Sequence, residues 1–506
     1  MMRTPDQNPY VSTRSPNRFI RLTALISLLL LLIAPMQIAV QAVAQITPIT
    51  PSDEINGRYT GDWMVQITPG TDANALAARL GFQNLGLIGN LSDFYLFRPL
   101  KATRTVQRSS NLLAKAPEVI QASADVEFSV TERTVPPITD PLYPEQWHLL
   151  NTGQQAGGVA GNDANVYPAW DQGYTGTGVV LASVDDGLWW NSPDLLNNFL
   201  SSASKDFVDN DFEVRHSAHG TRVGGVMAGV ANASPNSAND CGVGVAFNAD
   251  IAGIRVINNL ADDPLVALAR IAAGLGYKND VIAVYNNSWG PLDDGKTLAG
   301  PDASIKSTLQ TAVTNGRGGK GNIFVWSAGN GGSTDNTNAD GYIASIYTIG
   351  VGGSTASGDL PSYGEPGASI LVNAPTDNIR TTMGNGAIGC VSNFNGTSAS
   401  AAVVSGVVGL ILQANPNLTW RDVQHILVNT ATKNDPSDPG WSTNAAGYHI
   451  SHDYGFGRVN ASAATSLAAT WSNVPAQTST TGSKTVNLAI PDGNSTGVSD
   501  TITLGT

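Results

Sequence analysis

Short apolar segments alternate with glycine-rich loops and helix-like stretches between residues 140 and 467. Five of these segments consist mainly of aliphatic and aromatic residues: GVVLASV, IAGIRVI, DVIAVY, NIFVWSA and SIYTIGV. Such segments are typical of strands that are buried on both faces, and strands separated by helices usually form a parallel sheet. The stretch GTSASAAVVSGVVGLILQAN is apolar nearly all round, which predicts a buried helix. The sequence therefore predicts an α/β domain over residues 134–468.

A smaller unit and a short tail flank this domain. Residues 45–133 contain the strand-like segments DWMVQI and DFYLF and the helix-like segment ANALAARLGF, which predict a small α+β unit. The proline-rich stretch TERTVPPITDP then marks an exposed linker. Residues 469–506 contain two β-like segments, TVNLAI and DTITLGT, which are too few for an independent β domain. We expect them to begin a further β-rich domain that the sequence does not complete.

The first 44 residues have the features of an export signal. Arg14, Arg18 and Arg21 precede the apolar run LTALISLLLLLIAPMQIAV, and small residues follow at AVA, which ends at Ala44. Cleavage after Ala44 would release a secreted or cell-envelope protein. An uncleaved membrane anchor is the alternative, because the apolar run is nearly long enough to span a bilayer. The net charge of -13 disfavours nucleic acid as a partner.

Three motifs contain the residue types of an activated serine nucleophile. They are VDDG with Asp185, HGT with His219 and NGTSAS with Ser398. A serine hydroxyl needs an imidazole to accept its proton, and a carboxylate to orient that imidazole. Each motif alone is usually a strand-ending turn, a loop histidine or a helix cap. Their occurrence together, in the chain order Asp, His, Ser, indicates subtilisin-type catalysis. Asn330 in SAGNGG and the Ser398 amide are candidate donors to an oxyanion.

Seven segments between Asp140 and Leu467 resemble the kexin/furin-like branch of the subtilisin-superfamily serine proteases, the proprotein convertases. They are AWDQGYTGTGVVLASVDDG, HGTRVGGVMAGVAN, CGVGVAFNADIAGIRV, NNSWGPLDDGKT, GRGGKGNIFVWSAGNGG, NGTSAS and NLTWRDVQHILVNTA. The resemblance implies a subtilisin-like parallel sheet flanked by helices. It also implies that residues 45–133 are an inhibitory propeptide and that residues 469–506, with IPDGNSTGV, begin a P-domain.

The resemblance assigns roles to individual residues. Asp185 becomes the acid of the triad, His219 the general base, Ser398 the nucleophile and Asn330 the oxyanion donor. The spacing of the two cysteines leaves open whether they form a bridge or remain two buried thiols. The resemblance favours a disulfide bond, because Cys241 and Cys390 stand at positions that are bridged in the family.

Bound calcium is also implied, at two sites or more. At one site the ligands would be Asp140 and Asp194 together with the backbone of Val230, Asp240 and Gly242. At the second site they would be Asp293, Asp335 and Glu365. The alternative for any single one of these acids is that it only solvates a loop, whereas three acids around one point would repel each other strongly without a cation.

The residues that the resemblance implies for substrate binding favour arginine, and then lysine, before the scissile bond. They are Asp186, Asp293, Asp340 and Tyr342, together with Ser288, Trp289 and Gly290. Because neighbouring residues of an extended chain point to opposite sides, we expect Asp185 to face His219 and Asp186 to face the substrate. Three departures, His216, Ala299 and Ala267, stand where the family uses acids for substrate. Because of His216 we expect a weakened preference for a second basic residue, and because of Ala299 and Ala267 we expect no requirement for arginine further upstream.

The sequence thus predicts a secreted, calcium-dependent serine endopeptidase. Its substrates would be polypeptides with basic residues, its own propeptide would inhibit it, and a monomer is the default. A broad-specificity subtilase is the first alternative, and equal cleavage of peptides that end in Ala-Phe and in Ala-Arg would identify it. An inactive binding protein with a protease fold is the second, and the complete set of Asp185, His219, Ser398 and Asn330 argues against it.

Overall fold

The computed structural model describes most of the chain. The described residues are 57–89, 91–101, 105–128, 138, 140–231, 241–258, 264–384, 389–478, 481, 483–489, 493, 498, 499 and 501. The predicted signal segment, residues 1–44, lies outside them. The chain divides into two compact units, Met1–Glu132 and Arg133–Thr506.

The first unit is a four-stranded antiparallel sheet with two helices, as the α+β prediction required. Its elements are β1 (Gly57–Ile67), α1 (Ala73–Leu80), β2 (Phe82–Leu87), β3 (Phe94–Pro99), α2 (Val106–Ala114) and β4 (Val119–Phe128). The strands lie in the order β2-β3-β1-β4. Asp72 caps the start of α1, and Gly81 ends the helix in the left-handed conformation, with φ of 78°. Trp63, Phe97 and Leu113 lie in its buried core.

The second unit contains a seven-stranded sheet in the order β11-β10-β9-β8-β5-β7-β6, and every pairing in it is parallel. Its strands are β5 (Val180–Asp185), β6 (Lys205–Asp206), β7 (Asp250–Arg255), β8 (Val284–Asn287), β9 (Ile323–Ser327), β10 (Thr348–Ser354) and β11 (Ile370–Pro375). Two antiparallel pairs complete the described strands: β12 (Ile379–Thr382) with β13 (Cys390–Phe394), and β14 (Ser442–Thr443) with β15 (His449–Ile450). The predicted parallel sheet is confirmed, and the prediction missed β6 and β11.

The second unit also contains helices, and several of them contact strands of this sheet. They are α3 (Tyr167–Asp171), α4 (His219–Ala228), α5 (Pro264–Leu275), α6 (Ala303–Gly319), α7 (Thr397–Ala414), α8 (Trp420–Thr430) and α9 (Ala461–Thr470). Helix α7 contacts α4, α9 and five strands, and all of its residues from Thr397 to Leu412 are buried. Among the described residues, α7 is the one helix long and apolar enough to cross a membrane, and burial of 83% of it marks a core helix.

The order of the strands brings the predicted site residues to one edge of the sheet. Strands β9, β8 and β5 are neighbours, and parallel strands end at the same edge. Strand β5 ends at Asp185, Ser288 follows β8, and Asn330 lies three residues beyond β9. Ligands bind at this edge in open α/β sheets.

A disulfide bond joins Cys241 to Cys390, with an S–S distance of 2.12 Å. The predicted bridge is therefore confirmed. It ties the segment that leads into β7 to the first residue of β13 and closes a loop between residues 149 positions apart.

The tail after α9 is the segment that was predicted to begin a P-domain. Residues 483–489, which include most of TVNLAI, form no strand, and most of DTITLGT lies outside the described residues. The start of a P-domain therefore stays a prediction.

Candidate functional site

Asp185, His219 and Ser398 form one hydrogen-bonded series, although they lie far apart in the sequence. His219 Nδ1 is 2.8 Å from Asp185 Oδ1, and His219 Nε2 is 3.1 Å from Ser398 Oγ. Asp185 is 1% exposed, whereas the His219 side chain is 37% exposed. The buried carboxylate of Asp185 can therefore orient the imidazole through Nδ1, while Nε2 faces the Ser398 hydroxyl.

Glycines allow the elements around this series to approach closely. Gly220 follows His219 in α4, and a Cβ atom there would lie 2.0 Å from the carbonyl oxygen of Gly187. Gly396 is the N-cap of α7, with φ of 91°, so the chain turns sharply two residues before Ser398. Larger residues at either position would displace the segment that carries His219 or Ser398.

The charge of Asp185 dominates the titration of His219. It raises the pKa of His219 to about 9, although burial of the imidazole opposes the rise. The neighbouring Asp186 raises the pKa of His219 further, and Arg222 lowers it. Burial also raises the pKa of Asp185, and the nearby imidazole opposes that rise.

The argument from side-chain alternation does not hold for Asp186, while its contact with substrate stays a prediction. Asp186 Oδ1 accepts hydrogen bonds from the Ser217 hydroxyl and, at 3.1 Å, from the Gly220 amide. Ligand atoms of Asp185, Asp186 and His219 lie within 4.8 Å of one another. Alternation fails because β5 ends at Asp185, so Asp186 belongs to a loop. One carboxylate oxygen of Asp186 thus secures the first turn of the His219 helix.

Asn330 is held with its side-chain oxygen towards α7. Its Oδ1 accepts hydrogen bonds from the Thr397 amide at 2.9 Å and from the Thr397 hydroxyl at 3.2 Å. The backbone amide of Asn330 donates to Asp293 Oδ2 at 2.7 Å. Because Oδ1 is occupied by donors, the Nδ2 group remains to donate elsewhere. Ser398 is the second residue of α7, so its amide belongs to the first turn, which lacks acceptors within the helix.

Three predicted calcium ligands, Asp293, Asp335 and Glu365, come together. Their carboxylate oxygens lie within 4.8 Å of one another. Glu365 Oε1 accepts from the Gly331 amide at 2.7 Å, and Asp335 Oδ2 accepts from the Gly295 amide at 3.1 Å. Burial raises the pKa of Glu365 to about 7, and the nearby acids add to the rise. A cluster of hard oxygen donors with this mutual repulsion fits Ca²⁺.

Four of the five residues predicted to hold calcium at the other site are among the described residues. Asp194 is fully buried, and its backbone carbonyl accepts from the Val230 amide at 2.8 Å. Its side chain accepts from the Cys241 amide at 3.2 Å, so the chain next to Gly242 lies against it. Asp140 is also buried. Asp240 lies outside the described residues.

Asp340 lies beside the segment that follows β8. A Cβ atom on Gly290 would come within 3.2 Å of Asp340 Oδ2, so glycine leaves this carboxylate accessible. Burial raises the pKa of Asp340 to about 6, and Asp293 and Asp335 add to the rise. Such a carboxylate would be stabilised by a cationic side chain.

Aromatic rings form the wall next to this acid. Tyr342 stacks on Trp326 with centroids 4.8 Å apart, and its ring meets Trp289 edge-on at 5.4 Å. Trp289 Nε1 donates to the Val184 carbonyl at 2.9 Å, which ties the wall to β5. Ser288 Oγ donates to the Ser398 carbonyl at 3.1 Å. Ser288 thus contacts Ser398 itself, and Trp289 contacts the residue before Asp185.

The three departures from the family pattern have distinct surroundings. His216 is exposed, and its ring lies 6.2 Å from Trp189 and 6.1 Å from Trp190. Ala299 pairs with Asp340 in an isolated bridge, and its carbonyl accepts from the Gly341 amide. Ala267 lies within α5.

Tyr363 was not predicted as part of this site. Its hydroxyl accepts from the Gly396 amide at 3.1 Å, and its carbonyl accepts from the Gly332 amide at 2.9 Å. It therefore contacts the chain on both sides, near Ser398 and near Asn330. No local pattern marks it, because each contact depends on residues distant in the sequence.

Comparison with known proteins gives two family matches. The model of the Subtilase family matches residues 176–457, and the model of the Peptidase S8 pro-domain matches residues 62–133. The first match covers more than half of the chain and includes all three residues of the hydrogen-bonded series.

Relatives and solved structures agree with these matches. The PC3-like endoprotease variant B of Hydra vulgaris is 38% identical over 445 residues, which are 83% of this chain and 60% of that protein. Furin of Homo sapiens is 38% identical over 439 residues, 83% of this chain and 53% of furin. The chain thus spans little more than half the length of these relatives. The crystal structure of a serine protease of Aeromonas sobria is similar with a TM-score of 0.60 and 26% identity, covering 69% of this chain and 70% of the other.

Proposed function

Because this chain belongs to the subtilase family, in its kexin/furin-like branch, we propose that it is a serine endopeptidase. The observation that carries the proposal is the series of contacts from Asp185 through His219 to Ser398, at 2.8 and 3.1 Å. An acid, a base and a hydroxyl at these distances are the requirement for a serine nucleophile.

The proposed reaction is acyl transfer. His219 Nε2 takes the proton of Ser398 as the serine oxygen attacks the peptide carbonyl, and gives this proton to the leaving amine, which leaves an acyl-enzyme ester. Water then attacks the ester, with His219 taking its proton and returning it to the Ser398 oxygen, so that the acid product departs. Asp185 accepts a hydrogen bond from the Nδ1–H group and stabilises the imidazolium. The Asn330 side-chain amide and the Ser398 backbone amide donate to the oxyanion, which supplies a large part of the acceleration. The contacts of Asn330 with Thr397 support this orientation.

Arginine is the proposed residue before the scissile bond, with lysine cleaved more slowly. The accessible, partly buried carboxylate of Asp340, with Asp293 nearby, supports a cationic partner. A guanidinium fork binds carboxylates more strongly than an ammonium group does. Asp186 keeps one oxygen for a basic residue further upstream, and we expect this preference to be weak because His216 replaces an acid.

Calcium, export and inhibition complete the proposal. Asp293, Asp335 and Glu365 would hold one Ca²⁺, which would offset their mutual repulsion and stabilise the fold. Asp140, Asp194, Val230, Asp240 and Gly242 are the proposed ligands of another. Residues 1–44 would direct export, residues 45–133 would inhibit the peptidase domain at 134–468, and residues 469–506 would begin a P-domain. The proposed state is a monomer.

Two measurements on the purified protein test the proposal. A fluorophosphonate probe should label the wild type and leave Ser398→Ala unlabelled, because only the activated hydroxyl reacts. Reporter peptides that end in Lys-Arg, Ala-Arg and Ala-Phe should then be cleaved in that order of rate. A wild type that takes up no label would be an inactive binding protein. Equal cleavage of Ala-Phe and Ala-Arg would instead establish a broad-specificity subtilase.

A further inference from the structure

We infer that Tyr363 is a positioning residue that holds Ser398 and Asn330 at their working separation. The inference rests on the proposed serine peptidase function and adds a residue to it. Tyr363 lies between β10 and β11, and it reaches the two segments that carry the nucleophile and the oxyanion donor. It acts through backbone groups of those segments.

The Tyr363 hydroxyl anchors the start of α7. It accepts a hydrogen bond from the Gly396 amide at 3.1 Å and donates to Asp377 Oδ1. The Thr376 hydroxyl donates to the Gly396 carbonyl at 2.8 Å and contacts the Tyr363 hydroxyl at 2.9 Å. Both backbone groups of Gly396 are therefore held, two residues before Ser398.

The backbone near Tyr363 anchors the Asn330 loop. The Tyr363 carbonyl accepts from the Gly332 amide at 2.9 Å, and Glu365 accepts from the Gly331 amide at 2.7 Å. Gly332 has φ of 61°, and a Cβ atom there would lie 2.7 Å from the carbonyl oxygen of Ser362. The loop thus lies close against the segment from Ser362 to Glu365.

This arrangement makes Tyr363 a link between the segment that carries Ser398 and the loop that carries Asn330. The hydroxyl fixes the turn before Ser398, and the carbonyl of the same residue fixes the loop after Asn330. A misplacement of about 1 Å between reacting groups can lower a rate about 100-fold. Loss of the hydroxyl should therefore slow the chemical step without changing the pocket around Asp340 or the charges around His219.

The test is Tyr363→Phe, which removes the hydroxyl and keeps the ring. Titration with a fluorophosphonate first gives the concentration of active sites, and kcat is then measured per titrated site with the Ala-Arg peptide. We expect kcat to fall about 10- to 100-fold and KM to change less than about twofold. The pH midpoint of the acid limb of kcat/KM should remain that of the wild type.

Tyr454→Phe is the matched control. The Tyr454 hydroxyl also accepts from a backbone amide, that of Leu360 at 2.9 Å, so the same kind of bond is lost. We expect its kcat per titrated site to equal that of the wild type. Thr376→Val supplies a second variant, and it should lower kcat in the same way because it frees the Gly396 carbonyl.

The outcomes separate this inference from the proposed function. A labelled wild type with unchanged kcat per site in both Tyr363→Phe and Thr376→Val would overturn the inference and leave the peptidase function intact. A Tyr363→Phe protein with a smaller titrated fraction of active sites, but normal kcat at each site, would show that Tyr363 has only a structural role. That result would also overturn the inference. If the variant fails to fold, Thr376→Val decides. An unlabelled wild type would refute both.

Discussion

Replacing Asp186 by asparagine should move the acid limb of the pH profile to lower pH. His219 acts as a base only when it is neutral, and its pKa is raised to about 9 by Asp185 first, with a further rise from Asp186. Asparagine removes the charge of residue 186 but keeps an oxygen that can accept from the Ser217 hydroxyl and the Gly220 amide. The helix that carries His219 should therefore keep its place.

The size of the shift follows from the separation. Ligand atoms of Asp186 and His219 lie within 4.8 Å of each other, where two unit charges in water interact by about 0.9 kcal/mol. That energy corresponds to about 0.6 pH unit, and partial burial strengthens it. At a fixed pH well below the midpoint, more of the imidazole becomes neutral, so kcat/KM should rise about fourfold relative to its plateau.

The assay is kcat/KM for the Ala-Arg peptide between pH 5 and pH 10. A peptide without a second basic residue is needed, because Asp186 is also proposed to attract such a residue. Asp302→Asn is the matched control: Asp302 caps α6 through Ser304 and the Ile305 amide. Its midpoint should not move. A midpoint for Asp186→Asn that equals or exceeds the wild-type value would refute the electrostatic account of His219.

Two further changes test the nucleophile and the disulfide. Ser398→Ala should lower turnover by several orders of magnitude and leave the precursor uncut near Arg133, and a mature N-terminus in this variant, made without other proteases, would contradict self-processing. Loss of the bridge in the double variant Cys241→Ser, Cys390→Ser should lower the free energy of unfolding by up to about 5 kcal/mol, and an unchanged urea midpoint would contradict this. Calcium is tested by a chelator, which should lower the melting temperature; equal melting with and without it would contradict a stabilising ion.

The architecture was predictable where local pattern and packing agree. Each of the five apolar segments became a strand of the parallel sheet, because buried parallel strands are apolar on both faces. The all-round apolar stretch became α7, because a helix without a polar face has to be buried. Strand β6 has only two residues, Lys205 and Asp206, and it is too short to produce any pattern.

The site was predictable only in part, because its motifs are local and its contacts are not. Asp185, His219 and Ser398 each stand in a recognisable short motif, so their meeting could be expected. The position of Asp186 could not, because it depends on where β5 ends. Tyr363 contacts Gly396 across 33 positions of sequence, and only the folded chain reveals that contact.

Asp293 connects the carboxylate cluster to the loop that carries Asn330. Its carboxylate belongs to the group with Asp335 and Glu365. The same carboxylate accepts a hydrogen bond from the backbone amide of Asn330 at 2.7 Å. Glu365 likewise accepts from the next amide, that of Gly331. Repulsion among the three acids in the absence of a cation would act directly on these two hydrogen bonds. Removal of the proposed calcium ion should therefore displace the proposed oxyanion donor, Asn330, as well as destabilise the fold, since one set of carboxylates would serve both.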